Sequence, residues 1–246
     1  MLFAENGNYY KFNSHDIELY NKMIDMQYQF NFSIGKDHKS QEYKTYIEVY
    51  NLLQALSDEI VEAKNCFNWK WWSKEGKEHP QFNYIFDVKN YHIELIDSLH
   101  FILSLNILAD VKINEFTLLN VYLNEMKVDN NNEIRNNISF RYFLLESLLS
   151  EIQAIKYYLI TNDLIDIPSQ KLNYQIDKNL TKNIYLLVKA CWNVLATLLI
   201  YCENLTFDDI YKMYTLKMEI NKTRQKNNYS VLNKTEDDNK KLYKDF

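Results

Sequence analysis

Two pairs of acidic residues are the part of this sequence best suited to chemistry. Glu59 and Glu62 lie three positions apart, and Glu94 and Asp97 repeat that spacing further along the chain. On an α-helix, residues three apart project from neighbouring turns on one side, so each pair presents two carboxylates together. Glu94 and Asp97 lie in an otherwise almost wholly apolar stretch, YHIELIDSLHFILSL. Burying two acids there carries a large desolvation cost unless something compensates for it.

Buried salt bridges could compensate the second pair, but a hard divalent cation accounts for all four acids. Mg²⁺ takes oxygen ligands and is usually held by a few carboxylates together with substrate phosphates. Asp97 and His100 also resemble half of a di-iron site, which uses Glu-x-x-His pairs on two helices. The corresponding position after Glu62 is Asn65, so no second histidine completes that site. Oxygen ligation and Mg²⁺ are therefore preferred, although a pair such as Glu59 and Glu62, taken alone, is more often a solvated helix face.

A row of polar residues near the C-terminus is suited to binding phosphate. Lys217, Asn221, Arg224 and Asn228 fall within about 60° of arc if one helix runs through them. Arginine offers a bidentate fork to phosphate and lysine a point charge. The same residues are also typical of a solvated helix C-terminus, where basic side chains are favoured.

Two further groups are suited to a nucleoside. Gln27 and Asn31 lie four positions apart on one predicted helix face, and each amide supplies donors and an acceptor. Trp69, Trp71 and Trp72 follow the Glu59/Glu62 segment directly. Their rings could fill a core or stack on a base.

The elements that position these residues are predicted to be helices. Three Gly and two Pro in 246 residues leave few places for tight turns and favour long helices. Ser14 is a plausible N-cap for the first helix. Helical periodicity is found over the ranges 14–32, 42–67, 88–108, 114–126, 138–161, 181–204 and 207–226. We therefore predict one all-α multi-helix domain over 1–226 and a polar tail over 227–246 that is mobile or closes over a ligand.

Bulk properties narrow the class of partner. The net charge of −5 provides no basic field for a nucleic-acid backbone. Cys66, Cys191 and Cys202 form no C-x-x-C pair and indicate reduced packing residues in a cytoplasmic protein. No signal peptide is apparent at the start of the sequence. The most apolar stretch, 184–202, is interrupted by polar residues and predicts a buried bundle helix rather than a membrane span.

Taken in order, these motifs resemble those of the dimeric dUTPases, which belong with the MazG-like all-α NTP pyrophosphatases. The resembling segments are MQYQFN (26–31), DEIVEAKNCFNWKWW (58–72), IELIDSLHFILSL (93–105) and KMEINKTRQKNNY (217–229). The resemblance implies Mg²⁺-dependent hydrolysis of dUTP, with dUDP as a further candidate substrate, to dUMP by a homodimer. It extends from about residue 20 to 239, with only helical character matching over 110–205.

The resemblance also implies a role for each candidate residue. Roughly two or three Mg²⁺ ions would be held by four acids, and Glu62, assisted by Glu59, would orient the attacking water as general base. The implied metal ligands are Glu59, Glu62, Glu94 and Asp97. The implied phosphate-binding residues are Lys217, Asn221, Arg224 and Asn227. The implied base- and sugar-binding residues are Gln27, Asn31, Trp69, Trp72 and His100.

Two departures from the family pattern keep alternatives open. Asn228 occupies the position of a family glycine, and the loop that normally closes over substrate is shortened before Asn233. The alternatives are a pyrophosphatase for another nucleotide such as dCTP, or a diverged homologue that binds nucleotide without catalysis. The presence of all four acids argues against the last.

Overall fold

The chain folds into a bundle of α-helices around one central helix. The computed structural model describes residues 13–70, 72–78, 85, 87–110, 137–162, 164 and 178–227. Among these residues no β-strand is present, only an isolated bridge between Phe67 and Ile85. The elements in chain order are α1 (Ser14–Ser33), a 3₁₀ turn (Gln41–Tyr43), α2 (Tyr46–Asn65), the short α3 (Lys74–Glu78), α4 (Val88–Ala109), α5 (Ile138–Thr161), α6 (Lys178–Ala196), a π-helical turn (Thr197–Cys202) and α7 (Phe207–Lys226).

The predicted all-α fold is confirmed, and most helix bounds lie close to their predicted positions. α5 and α7 match the predicted ranges to the residue, and α4 ends one residue later than predicted. α2 begins later than predicted because the Thr45 side chain caps its first turn. The predicted helix 114–126 and nearly all of the tail lie outside the described residues.

The first helix is capped differently from the prediction. Asn13, not Ser14, is the N-cap, and its side chain accepts a hydrogen bond from the Asp16 backbone N–H at 2.9 Å. The Asp16 carboxylate accepts in return from the Asn13 N–H at 3.0 Å. This reciprocal capping box requires an acid three positions after the cap, which selects Asn13 over its neighbour.

α4 lies at the centre of the bundle and packs against α1, α2, α6 and α7. Its apolar side chains are buried almost all the way round, because helices cover it on several sides. Glu94, His100 and Ser104 are carried on the same helix and are therefore also buried. These three polar residues of α4 thus face the neighbouring helices rather than solvent.

In the part of the chain that the structure describes, two helical segments are long and apolar enough to cross a bilayer. They are Val88–Ala109 and Thr181–Cys202, and 83% and 72% of their most apolar windows are buried inside the bundle. Such burial is typical of core helices, as predicted for 184–202. Cys66, Cys191 and Cys202 are also buried and are not linked by disulfides.

Candidate active site

Three of the four predicted acids form one cluster where α2 packs on α4. Carboxylate oxygens of Glu59, Glu62 and Glu94 all lie within 4.8 Å of one another. Glu94 is buried, Glu59 is partly buried and Glu62 is exposed. The cluster therefore extends from the interior of the bundle to its surface.

Burial and mutual repulsion raise the pKa values of the two inner acids. Burial, followed by the charges of Asp97 and Glu94, raises the pKa of Glu59 to about 9. Burial and the charges of Asp97 and Glu62 raise the pKa of Glu94 to about 7 against an opposing effect of Lys217. Crowded carboxylates of this kind bind a hard cation well, because the cation supplies the charge that they lack. The donor set, which is oxygen only, fits Mg²⁺.

Asp97 lies beside this cluster but is paired with a lysine. Lys217 Nζ lies 2.7 Å from Asp97 Oδ2, and the lysine side chain is only 3% exposed. For Asp97, a salt bridge therefore compensates the cost of burying the acid, which was one of the two explanations considered from the sequence. Its charge nevertheless raises the pKa values of Glu59 and Glu94, so it belongs to the same electrostatic site.

A cavity of about 380 Å³ adjoins the acids and brings together predicted residues from four helices. Of the site residues predicted from the sequence, those lining it are Gln27, Asn31, Glu59, Asp97, His100, Lys217, Asn221 and Arg224. We refer to the part lined by Glu59, Asp97 and Lys217 as the acidic end and to the part lined by Gln27 and Asn31 as the amide end. A volume of this size suits a small molecule.

The amide end of the cavity has a continuous hydrogen-bond network. Gln27 Nε2 donates to Asn31 Oδ1 at 2.8 Å, and Asn31 Nδ2 donates to Ser104 Oγ at 3.0 Å. Gln27 Oε1 accepts from the Tyr214 hydroxyl at 2.7 Å and contacts His100 Nδ1 at 2.8 Å. The two amides are therefore held in fixed orientations before any ligand arrives.

His100 belongs to this network and not to the acid cluster. Its ring stacks on Tyr214 with centroids 4.4 Å apart. Burial, together with the charge of Lys217, lowers the pKa of His100 to about 3, so the ring is neutral. Because Nδ1 faces a carbonyl oxygen, it carries the proton, and Nε2 is a buried acceptor without a protein partner. The di-iron alternative thus gains no histidine ligand here.

The two described tryptophans that were predicted to bind the base, Trp69 and Trp72, do not line this cavity. Trp69 and Trp72 meet edge to face at 5.6 Å, and Trp72 is 53% exposed. The rings that do line it are Phe30 and Phe101. Trp71 lies outside the described residues.

Asn227 is also absent from the lining of the cavity. It is the C-cap of α7, where its backbone N–H bonds to Thr223 and Arg224 carbonyls. Gln225 lines the cavity in its place. Asn228, which shared the predicted row, lies outside the described residues.

The sequence analysis missed Lys36 and Glu48, which line the cavity, and His38, which contacts Glu48. Glu48 lies eleven positions before Glu59, and that spacing places both on one side of α2. This periodicity could have identified Glu48. Lys36 and His38 lie in the connection between α1 and α2, where no helical period applies.

Comparison with known proteins gives a family match over most of the chain. A family model described as dUTPase matches residues 19–229. This range includes every candidate residue discussed above. No curated protein and no solved structure matches the chain.

Proposed function

Because the chain belongs to the all-α dUTPase family, we propose that it is a Mg²⁺-dependent enzyme that hydrolyses dUTP to dUMP and pyrophosphate. The observation that carries this proposal is one cavity lined by the predicted acids Glu59 and Asp97, a cationic row and a pair of oriented amides. Carboxylates suit a metal–triphosphate, cations suit the leaving pyrophosphate, and amides suit a pyrimidine edge.

Glu59, Glu62 and Glu94 would hold Mg²⁺. Asp97 would become a fourth ligand when the Lys217 side chain leaves it to bind a phosphate of the substrate. The oxygens of the three glutamates are close enough together for a shared cation. When bound, the ion neutralises charge that develops on the phosphoryl oxygens. The buried ion pair of Asp97 and Lys217 keeps both side chains near their proposed partners beforehand.

The chain's own groups perform the remaining steps. Glu62, the exposed member of the cluster, orients a water and takes its proton as that water attacks the α-phosphorus. The bond between the α-phosphorus and its bridging oxygen breaks, and pyrophosphate leaves. Lys217 and Arg224 stabilise the negative charge on that leaving group. Glu59 positions Glu62 and the ion from the inner side of the cluster.

The base would lie at the other end of the cavity. Gln27 and Asn31 present oriented amides, and His100 Nε2 presents an acceptor. Phe30 and Phe101 provide apolar surface for the ring, in place of the tryptophans expected from the sequence.

The proposal extends to a cytoplasmic homodimer that binds neither nucleic acid nor membrane. Large apolar side chains are exposed on α5, among them Phe143, which is 47% exposed, and Tyr157, which is 70% exposed. Leu186 on α6 is 53% exposed. Such surface suits an interface with a second copy. Light scattering of the purified protein tests this part, and a monomer at micromolar concentration would contradict it.

A deoxynucleotide panel tests the activity. Pyrophosphate release from dUTP, dCTP, dTTP and dATP is measured with Mg²⁺ and with EDTA, alongside phosphate release from dUDP. We expect dUTP to be hydrolysed fastest and only with Mg²⁺. Preference for dCTP would support the alternative that the chain is a pyrophosphatase for another nucleotide. Absence of hydrolysis of every nucleotide would refute the enzyme assignment.

A further inference from the structure

A buried histidine–glutamate pair lies directly behind the amide end of the cavity. His38 is 2% exposed and Glu48 is 7% exposed, although both are polar. His38 Nε2 lies 2.8 Å from Glu48 Oε1, and Lys36 Nζ binds the other carboxylate oxygen at 2.9 Å. Buried polar groups carry a desolvation cost, so a fully satisfied group of this kind has a structural or functional reason.

The hydrogen bonds at His38 have a defined direction. Asn31 Nδ2 donates to His38 Nδ1 at 3.0 Å, because Asn31 Oδ1 already accepts from Gln27. His38 Nδ1 is therefore an acceptor, and the ring proton is on Nε2, from which it is donated to Glu48. The same donor-to-acceptor order includes Gln27, which donates from Nε2 to Asn31 and accepts at Oε1 from the Tyr214 hydroxyl.

We propose that the His38–Glu48 pair is a positioning device that fixes which atoms of Asn31 and Gln27 act as donors and acceptors, and so determines which pyrimidine the cavity accepts. This inference rests on the proposed function. His38 contacts Asn31 and does not line the cavity, so it is a positioning residue rather than a catalytic one. Neither residue was a candidate on sequence grounds.

The physical reason is that an amide can be turned over at little steric cost. With a proton on His38 Nδ1, Asn31 would have to present Oδ1 to the ring and Nδ2 to Gln27. Gln27 would then reverse in turn, and the donor and acceptor pattern along the cavity would invert. Uracil and cytosine differ in this respect, because uracil carries a donor at N3 and an acceptor at C4 where cytosine carries the reverse. A site selects between them only if its own polarity is fixed.

Glu48 keeps the proton on the required nitrogen. Although burial acts to raise the pKa of Glu48, hydrogen bonds from His38 and Lys36 lower it below its ordinary value. An ionised carboxylate can only accept, so it requires an N–H at His38 Nε2. Lys36 lines the cavity and satisfies the second oxygen, which leaves Glu48 with its charge compensated.

Two substitutions at His38 separate positioning from packing. His38→Gln can offer an oxygen to Asn31 and an amide N–H to Glu48, which retains the direction of the chain. His38→Leu fills the space and offers neither. We expect His38→Leu to lower the ratio of kcat/KM for dUTP to that for dCTP about tenfold, mainly through KM. We expect His38→Gln to keep the ratio within about threefold of the original protein.

The matched control is His15→Leu, since His15 is an exposed histidine on α1 bonded to Asp208. It should leave the ratio unchanged. Unchanged selectivity in His38→Leu, or an equal loss in His38→Gln and His38→Leu, would overturn the proposal. If His38→Leu does not fold, His38→Gln and the following measurement decide.

Nitrogen NMR of the histidine side chains tests the inference without turnover. The His38 signal, assigned by its disappearance in His38→Gln, should show the neutral tautomer with the proton on Nε2. A proton on Nδ1 would overturn the proposal. If the protein hydrolyses no nucleotide, the proposed function fails, and the NMR result together with calorimetric binding of dUMP against dCMP still decides this inference. The same tenfold loss of preference in His38→Leu is expected there.

Discussion

The two ends of the cavity differ in how far their buried polar groups are compensated by other groups of the chain. At the acidic end, Glu59, Glu62 and Glu94 are crowded together, and repulsion and burial raise the pKa values of the two inner acids. At the amide end, Gln27 and Asn31 are joined to their neighbours by directed hydrogen bonds. At the acidic end the negative charge is only partly compensated, by Lys217, whereas the polar groups of the amide end are largely satisfied within the chain.

This difference indicates what each end gains from a ligand. A bound cation would stabilise the acidic end, because it would offset repulsion that the fold leaves in place. The amide end gains little stability, but its preorganised groups discriminate between ligands at low entropic cost. Changes at the acidic end should therefore affect turnover and metal binding, and changes at the amide end should affect the choice and affinity of the base.

The largest effect is expected for Glu94→Gln. This change removes a proposed metal ligand, so kcat/KM for dUTP should fall by at least about a hundredfold, the range found for loss of one strong electrostatic contact. Steady-state assays at several Mg²⁺ concentrations measure it. Asp58→Asn is the matched control, since Asp58 is exposed on α2 next to Glu59. Full activity in Glu94→Gln would exclude Glu94 as a ligand.

A smaller effect is expected where apolar surface meets the base. Phe101→Ala should raise KM for dUTP about three- to tenfold, because a ring contact with a base contributes on the order of 1 kcal/mol. Trp72→Ala should change KM less than about twofold, since that side chain is 53% exposed and lies away from the cavity. The reverse order of effects would restore the tryptophan assignment made from the sequence.

A gradual effect is expected in the pH dependence of stability. The pKa of Glu59 in the folded chain is about 9 against an ordinary value of 4.5. The unfolded chain therefore loses the Glu59 proton at a lower pH than the folded chain does. Glu59 thus lowers the free energy of unfolding progressively as the pH rises from about 5 to about 9. In EDTA, the melting temperature of Glu59→Gln should fall less over this range than that of the unaltered protein. Parallel curves for the two proteins would show that Glu59 is not perturbed.

The helices were predictable from sequence because each buries a stripe or a whole surface of apolar residues. α5 and α7 were predicted to the residue, since capping residues precede each and their apolar period is unbroken. The cap of α1 was missed because Asn13 and Ser14 are both good caps, and the position of Asp16 distinguishes them. That distinction was available in the sequence.

The site was predictable where its residues share a helix face and not where they depend on tertiary structure. Gln27 and Asn31, or Lys217 and Asn221, are four positions apart and therefore adjacent in any helix. His38 reaches Asn31 only because the connection between α1 and α2 folds back against α1. The ion pair of Lys217 with Asp97 likewise required the packing of α7 on α4.

The contrast between the two ends is tested most directly by ligand binding with and without Mg²⁺. Titrations would compare deoxyuridine, which has no phosphate, with a non-hydrolysable imido analogue of dUTP. We expect the affinity for deoxyuridine to be the same in Mg²⁺ and in EDTA, and the affinity for the triphosphate analogue to be at least about a hundredfold higher in Mg²⁺. Equal affinity for the analogue under both conditions would contradict a cation site formed by Glu59, Glu62 and Glu94.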